Sequence, residues 1–254
     1  FLINDGQHRK AAIIDALNEK PELGNETISV VLYEDAGLLR SQQIFTDLNK
    51  HAVKTSNSIA ELYDSRDSVA VITRSVVSSV AFLNEYTDKE KDNLGKYSSN
   101  LFTLNTFYSS IKRTIEGNAP DIMMQKFLNK FWNCVAENII QWNEVSKKEI
   151  SKVDLRENYI VTQGVVIQAL GQVGAYFYKN PDVDMNKKLK ALRKINWKRS
   201  APIWKYRVIR ADGKILTSNK AIFLTANQIK KEIGISLTPD EERKEKQYLE
   251  SLNI

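Results

Sequence analysis

The segment from Tyr159 to Tyr178 is long and apolar, and Gly164, Gly171 and Gly174 punctuate it. Small residues at such spacing let one helix approach another closely, because no Cβ stands between the backbones. The segment therefore predicts a buried helix, and a buried helix needs other helices around it. The preceding sequence supplies them. Val69, Ile72, Val76 and Val80 recur three and four residues apart, which predicts a helix over 66–84. Leu104, Tyr108 and Ile111 predict another over 101–115, ended by Gly117-Asn118-Ala119-Pro120. Phe127, Phe131, Cys134, Val135 and Ile139 mark a long amphipathic helix over 123–142, whose aromatic residues read as core packing. Cys134 reads as structural, since nothing near it in sequence would lower its pKa. Arg74 lies among apolar neighbours and reads as a buried ion-pair partner. Residues 88–99 read as a surface loop, 147–156 as a charged connection and 185–195 as a short basic helix.

The two ends of the chain read differently. Phe1-Leu2-Ile3 suits the end of a buried strand, Asp5-Gly6 is a turn pair, and Gln7 to Glu19 reads as a helix with Ala11, Ile14 and Leu17 on one face. Gln7, His8 and Arg9 then share the first helical turn, where free backbone amides carry partial positive charge. Two readings stay open from the residues alone. Free amides, guanidinium, imidazole and side-chain amide can hold a phosphate or other anion. Alternatively, Asp5 caps the helix and Arg9 pairs with a surface carboxylate. Ile28 to Tyr33 is β-rich and predicts a second strand. Residues 36–49 predict a helix with Leu38, Phe45 and Leu48 toward the core, followed by a helix start capped by Ser56. The first residue is Phe, and a strand at Phe1–Ile3 needs neighbours, which predicts a fragment or a chain that has lost its N-terminal part.

Near the other end, Trp197-Lys198-Arg199-Ser200 and Trp204-Lys205-Tyr206-Arg207 interleave aromatic residues with cations. This pattern suits nucleic acid, by stacking and phosphate contact, or tryptophans packed on a core with solvated cations outside; the second is favoured. Asp212-Gly213 marks a hairpin turn inside 206–216. A lysine-rich helix over 219–233 follows, and residues 239–252 read as a charged terminal helix packing by Tyr248 and Leu249. Hairpin plus basic helix is analogous to a winged-helix element.

Composition excludes several classes. The single cysteine rules out an internal disulfide framework, and with two histidines it offers no recognisable zinc spacing. No apolar run reaches membrane-spanning length and no signal peptide is visible, so a cytoplasmic location is expected. The net charge of +6 is compatible with a nucleic-acid partner. A Gly-x-x-x-x-Gly-Lys-Ser/Thr motif is absent, which excludes a P-loop mechanism.

Asp5-Gly6-Gln7-His8-Arg9 resembles the signature of DGQHR-domain proteins. Lys10-Ala11-Ala12-Ile13, Pro21-Glu22-Leu23-Gly24, Gln42-Gln43-Ile44-Phe45-Thr46-Asp47-Leu48-Asn49, Gln168-Ala169-Leu170-Gly171 and Leu237-Thr238-Pro239-Asp240-Glu241 narrow the resemblance to the DndB family of bacterial DNA phosphorothioation systems. The resemblance implies an α/β, mostly helical protein in three parts. Residues 1–58 would be the C-terminal part of a ParB/sulfiredoxin-like DGQHR domain, while the residue patterns above give 59–195 as a helical domain and 196–254 as a hairpin plus helix. It also implies a DNA-binding negative regulator with a nucleotide-phosphate site; an ATPase or a non-catalytic scaffold is the alternative. In that site Asp5 and His8 would be catalytic, and Gly6, Gln7, Arg9 and Asn49 would bind the cofactor, ATP with Mg2+. Lys198, Arg199, Lys205, Arg207, Lys220, Lys230 and Lys231 are the candidate contacts to double-stranded DNA. Other proteins of the modification system, and further copies of this chain, are the expected protein partners.

Overall fold

The computed structural model describes residues 3, 6–32, 34, 37–52 and 56–251, with side chains described except at 48–52 and 251. Thirteen α-helices occur among them. They are α1 Gln7–Glu19, α2 Leu38–Ala52, α3 Asn57–Tyr63, α4 Ser68–Ser79, α5 Ala81–Tyr86, α6 Leu104–Ile115, α7 Ile122–Asn138, α8 Ile140–Ser146, α9 Lys152–Asn158, α10 Gly164–Lys179, α11 Met185–Leu189, α12 Asn219–Glu232 and α13 Pro239–Ser251. Strands β1 Thr87–Asp88 and β2 Phe102–Thr103 pair in parallel, with Thr87 opposite Phe102. The described protein is thus mostly helical.

Local chemistry starts most of these helices. Ser56, Asp67, Thr103, Asp121, Ser151, Asp184 and Ser218 each accept a hydrogen bond from a first-turn amide, satisfying a donor that has no helical partner. A reciprocal cap opens α13. The Glu241 amide donates to the Thr238 hydroxyl at 3.3 Å, and the Thr238 amide donates to the Glu241 carboxylate at 3.0 Å.

Helix α10 is the centre of the core. Ten of its residues are buried, from Val165 to Phe177, and it packs most extensively on α6 and α12. The contact with α6 runs through backbone. A Cβ placed on Gly171 would lie 2.2 Å from the Ser110 carbonyl oxygen. The Ser110 hydroxyl donates to the Ile167 carbonyl at 2.6 Å, and the Thr114 hydroxyl donates to the Gly171 carbonyl at 2.9 Å. Phe82 stacks on Trp142 with ring centres 4.9 Å apart, and Phe102, Phe107, Trp132 and Phe131 continue the aromatic layer edge to face.

Several expectations are corrected here. The helix expected over 66–84 is α4 and α5, broken at buried Val80, whose backbone is extended. The one expected over 123–142 is α7 and α8, broken at buried Ile139; the Asn143 side-chain amide donates to the carbonyls of Ala136, Glu137 and Ile139 around the break. Residues 28–32 form no strand. Their β propensity has no ladder partner among the described residues, and Ile28, Val30, Val31 and Leu32 are exposed. Leu38 is exposed rather than toward the core, and α2 buries Gln43, Ile44 and Thr46 instead. The expected strand residues Phe1 and Leu2, as well as Tyr33, lie outside the described residues. α9 begins within the charged connection and runs two residues past it, and the basic helix over 185–195 is α11 followed by a 3-10 turn, Lys190–Lys194.

Candidate functional site

The opening motif folds into a left-handed residue followed by a helix. Gly6 has φ 96° and ψ 14°, a conformation open to glycine and strained for other residues. The Lys10 amide closes the first helical bond onto the Gly6 carbonyl at 2.8 Å. Among the described residues no side chain caps α1, and no acid stands in its first turn. The Gln7 side-chain amide donates to the Ile3 carbonyl at 3.1 Å. Arg9 folds back over Gly6, so that a Cβ there would lie 3.7 Å from the Arg9 Nε and 3.8 Å from its Cζ. Gln7, His8 and Arg9 are exposed on this one turn. The structure therefore brings Gly6, Gln7, His8 and Arg9 together. Asp5 and the Asn49 side chain lie outside the described residues.

The polar residues of α2 serve packing. Gln43 donates to Asp47 at 3.1 Å, Arg66 donates to the same carboxylate at 2.7 Å, and Ser65 donates to Gln43 at 3.1 Å, tying α2 to the loop before α4.

Helices α3, α4 and α6 enclose a cluster of ionisable groups. Glu61 is 8% exposed; burial, then the neighbouring Asp92 and Asp67 carboxylates, raise it from the usual 4.5 to about 8. Its Oε2 has no hydrogen-bond partner among the described residues. The Tyr108 hydroxyl donates to Asp67 at 2.8 Å, and burial, then this bond, push the phenol up. Arg74 donates to the backbone carbonyls of Glu61 and Asp64. Its partners are carbonyls, which corrects the expected ion pair. The Cys134 thiol is also raised, chiefly by burial, as suits a structural cysteine. Among the described residues no cluster of three or more His, Cys, Asp or Glu side chains could hold a metal ion.

The C-terminal cations divide into two groups. Glu245 is buried and receives Arg207 at 2.5 Å, Lys231 at 2.7 Å and the Asn227 amide at 3.1 Å. Burial alone would raise this carboxyl, but Lys231 and Arg207 outweigh it and hold it below the ordinary value. Lys230 is buried against Glu241 at 2.5 Å. Lys220 sits 4.0 Å from the centre of the Tyr248 ring. Lys198 and Lys205 are exposed, and Arg199 is half-buried. The tryptophans between these cations are core residues. Trp197 and Trp204 stack on each other at 5.2 Å, buried, with their N–H groups donating to the Leu192 and Asn196 carbonyls. Asp212-Gly213 does turn a minimal hairpin: Gly213 has φ 81°, and Ile209 bridges Ile215. Sequence reasoning missed Glu245, the acid that neutralises two candidate DNA contacts. The signal lay in the Glu241, Glu245 spacing, four residues apart on α13, opposite Lys230 and Lys231.

The family model for DndB, described as DNA-sulfur modification-associated, matches residues 1–236. The chain belongs to the DndB family. That membership associates it with DNA sulfur modification. No curated protein and no solved structure matches it. Among the described residues of this DndB-family chain, no helix is long and apolar enough to cross a membrane.

Proposed function

We propose that the chain is an accessory and regulatory protein of DNA phosphorothioation that contacts duplex DNA and carries a ParB-like nucleotide-phosphate site at its opening motif. The observation that supports the site is the first turn of α1. It combines a left-handed Gly6 at the N-cap, a first turn without an acid, and the Gln7, His8 and Arg9 side chains on one exposed turn. A phosphate there would meet backbone amides and the Arg9 guanidinium. Asp5 would hold Mg2+ or a water, and His8 would hydrogen-bond the phosphate or move a proton. The family's association with DNA modification supports duplex DNA as the larger partner.

The test is ATP binding by calorimetry and ATP hydrolysis, for wild type beside Asp5→Ala and Arg9→Ala, with and without duplex DNA. Arg9→Ala is expected to abolish nucleotide binding while leaving the helical body folded. Unchanged affinity removes Arg9 from the site. Hydrolysis lost in both variants makes the motif catalytic and favours an ATPase; DNA binding without any nucleotide binding leaves the regulator reading alone.

A further inference from the structure

We infer that the groove between α7 and residues 185–199 is the surface on which the chain holds the phosphate backbone of duplex DNA. This rests on the DNA-contact reading above and adds where the contact is made. Between Met185 and Arg199 the sequence places seven cations and no carboxylate. Met185, Leu189, Leu192, Ile195 and Trp197 are buried and anchor the segment, which leaves Lys187, Lys190, Lys194 and Lys198 exposed. None of these four makes an ion pair with a described residue. Of the four, Lys190 lines the groove itself, and Lys187 and Lys194 flank it in sequence.

The opposite wall is α7, with Lys130 and Asn133 facing Asn186, Lys190 and Arg193 across a groove of about 650 Å³ that Glu137 also lines. Arg193 is fixed in place by neutral acceptors. Its Nε donates to the Asn138 side-chain oxygen at 2.7 Å and its Nη2 to the Glu137 carbonyl at 2.9 Å. Asn138 is itself held by donating to the Cys134 carbonyl at 2.7 Å. The guanidinium is therefore oriented without being neutralised. Arg207, Lys230 and Lys231 contrast with it, since carboxylates on α13 pair with all three. Because the nearby tryptophans are buried, the groove offers charge and amide groups and no stacking face. Such a surface grips phosphates and is indifferent to base sequence.

The test uses the full chain and a short fluorescent duplex of arbitrary sequence, titrated by anisotropy across a series of KCl concentrations. The variant is Lys130→Glu/Lys190→Glu/Lys194→Glu, which takes one lysine from each wall of the groove and one that flanks it. The control, with the same change in charge, is Lys91→Glu/Lys214→Glu/Lys246→Glu, and circular dichroism melting checks that both fold. The groove variant is expected to bind about ten-fold or more weakly, with a log affinity against log salt slope shallower by about 2–3, while the control keeps most of both. Equal losses in both variants reduce the effect to net charge and overturn the proposal. Wild-type affinity in the groove variant also overturns it, and leaves the DNA-contact reading standing. A wild type that binds no duplex removes that reading and the groove with it. Displacement of the duplex by polyglutamate of matched charge, at equal or better potency, assigns the groove to an acidic protein and overturns it as well.

Discussion

Helices α1 and α10 are both regular, of 13 and 16 residues, and are held by different means. Ten residues of α10 are buried, and its backbone touches that of α6. No residue of α1 is buried among the described residues; Ile13 is 37% exposed and Ile14 47%. Among the described residues α1 packs chiefly on the adjoining 3-10 turn Pro21–Asn25, so its shape follows nearby sequence, helix-forming residues after a glycine that turns the chain. Tertiary packing gives α10 its place. The comparison shows that a helix can be written into a short stretch of sequence, while its position is written across the whole chain.

The largest expected effect breaks the α10 side of this contrast. Gly171→Val forces α10 away from Ser110 and is expected to cost at least about 3 kcal/mol, read by urea unfolding. A stability loss confined to a few tenths would mean that the α6 and α10 backbones do not meet. Next is Glu245→Ala, which leaves the half-buried Arg207 without its carboxylate and Lys231 and Asn227 without theirs. A loss of about 3 kcal/mol is expected, by the same measurement.

Glu61 adds a pH signature. Its folded pKa is raised, so between 4.5 and about 8 the folded state keeps a proton that the unfolded state has released. Stability from this group therefore falls as pH rises through that window and is level above it. Glu61→Gln is expected to flatten this slope in melting temperatures taken across the same range. The smallest effect belongs to α1. Ile14→Ala is expected to change global stability by less than about 0.5 kcal/mol, because the side chain leaves no cavity behind. A loss of several times that would show that α1 is covered in solution, and would close the gap between the two helices.

What could be read in advance follows the same division. Ser56, the Asp-Gly turn at Gly213 and the α1 limits at Gln7 and Glu19 were legible, because capping and turn chemistry act over a few residues. The breaks at Val80 and Ile139 were not, since apolar spacing continues through both and only the packed chain decides where it bends. The β-rich run at Ile28 to Leu32 misled for a related reason: propensity describes a strand that has found a partner. In the opening motif the glycine turn and the helix were readable, whereas the inward turn of Arg9 over Gly6 needed coordinates. At the far end the residue types pointed to a cationic surface. Which cations face solvent depended on Glu241 and Glu245 docking from a later helix.

The glycine beneath Ser110 limits how the molecule can move. Shifting α6 along α10 by one turn toward Gly164, about 5.4 Å, would bring Ile167 or Gln168, which share the face of Gly171, against a carbonyl that tolerates only hydrogen. Sliding in that direction is thereby opposed, and tilting the two helices together is not. A change of state passing through this pair would swing it as one lever, with the Ser110 and Thr114 hydroxyls as pins.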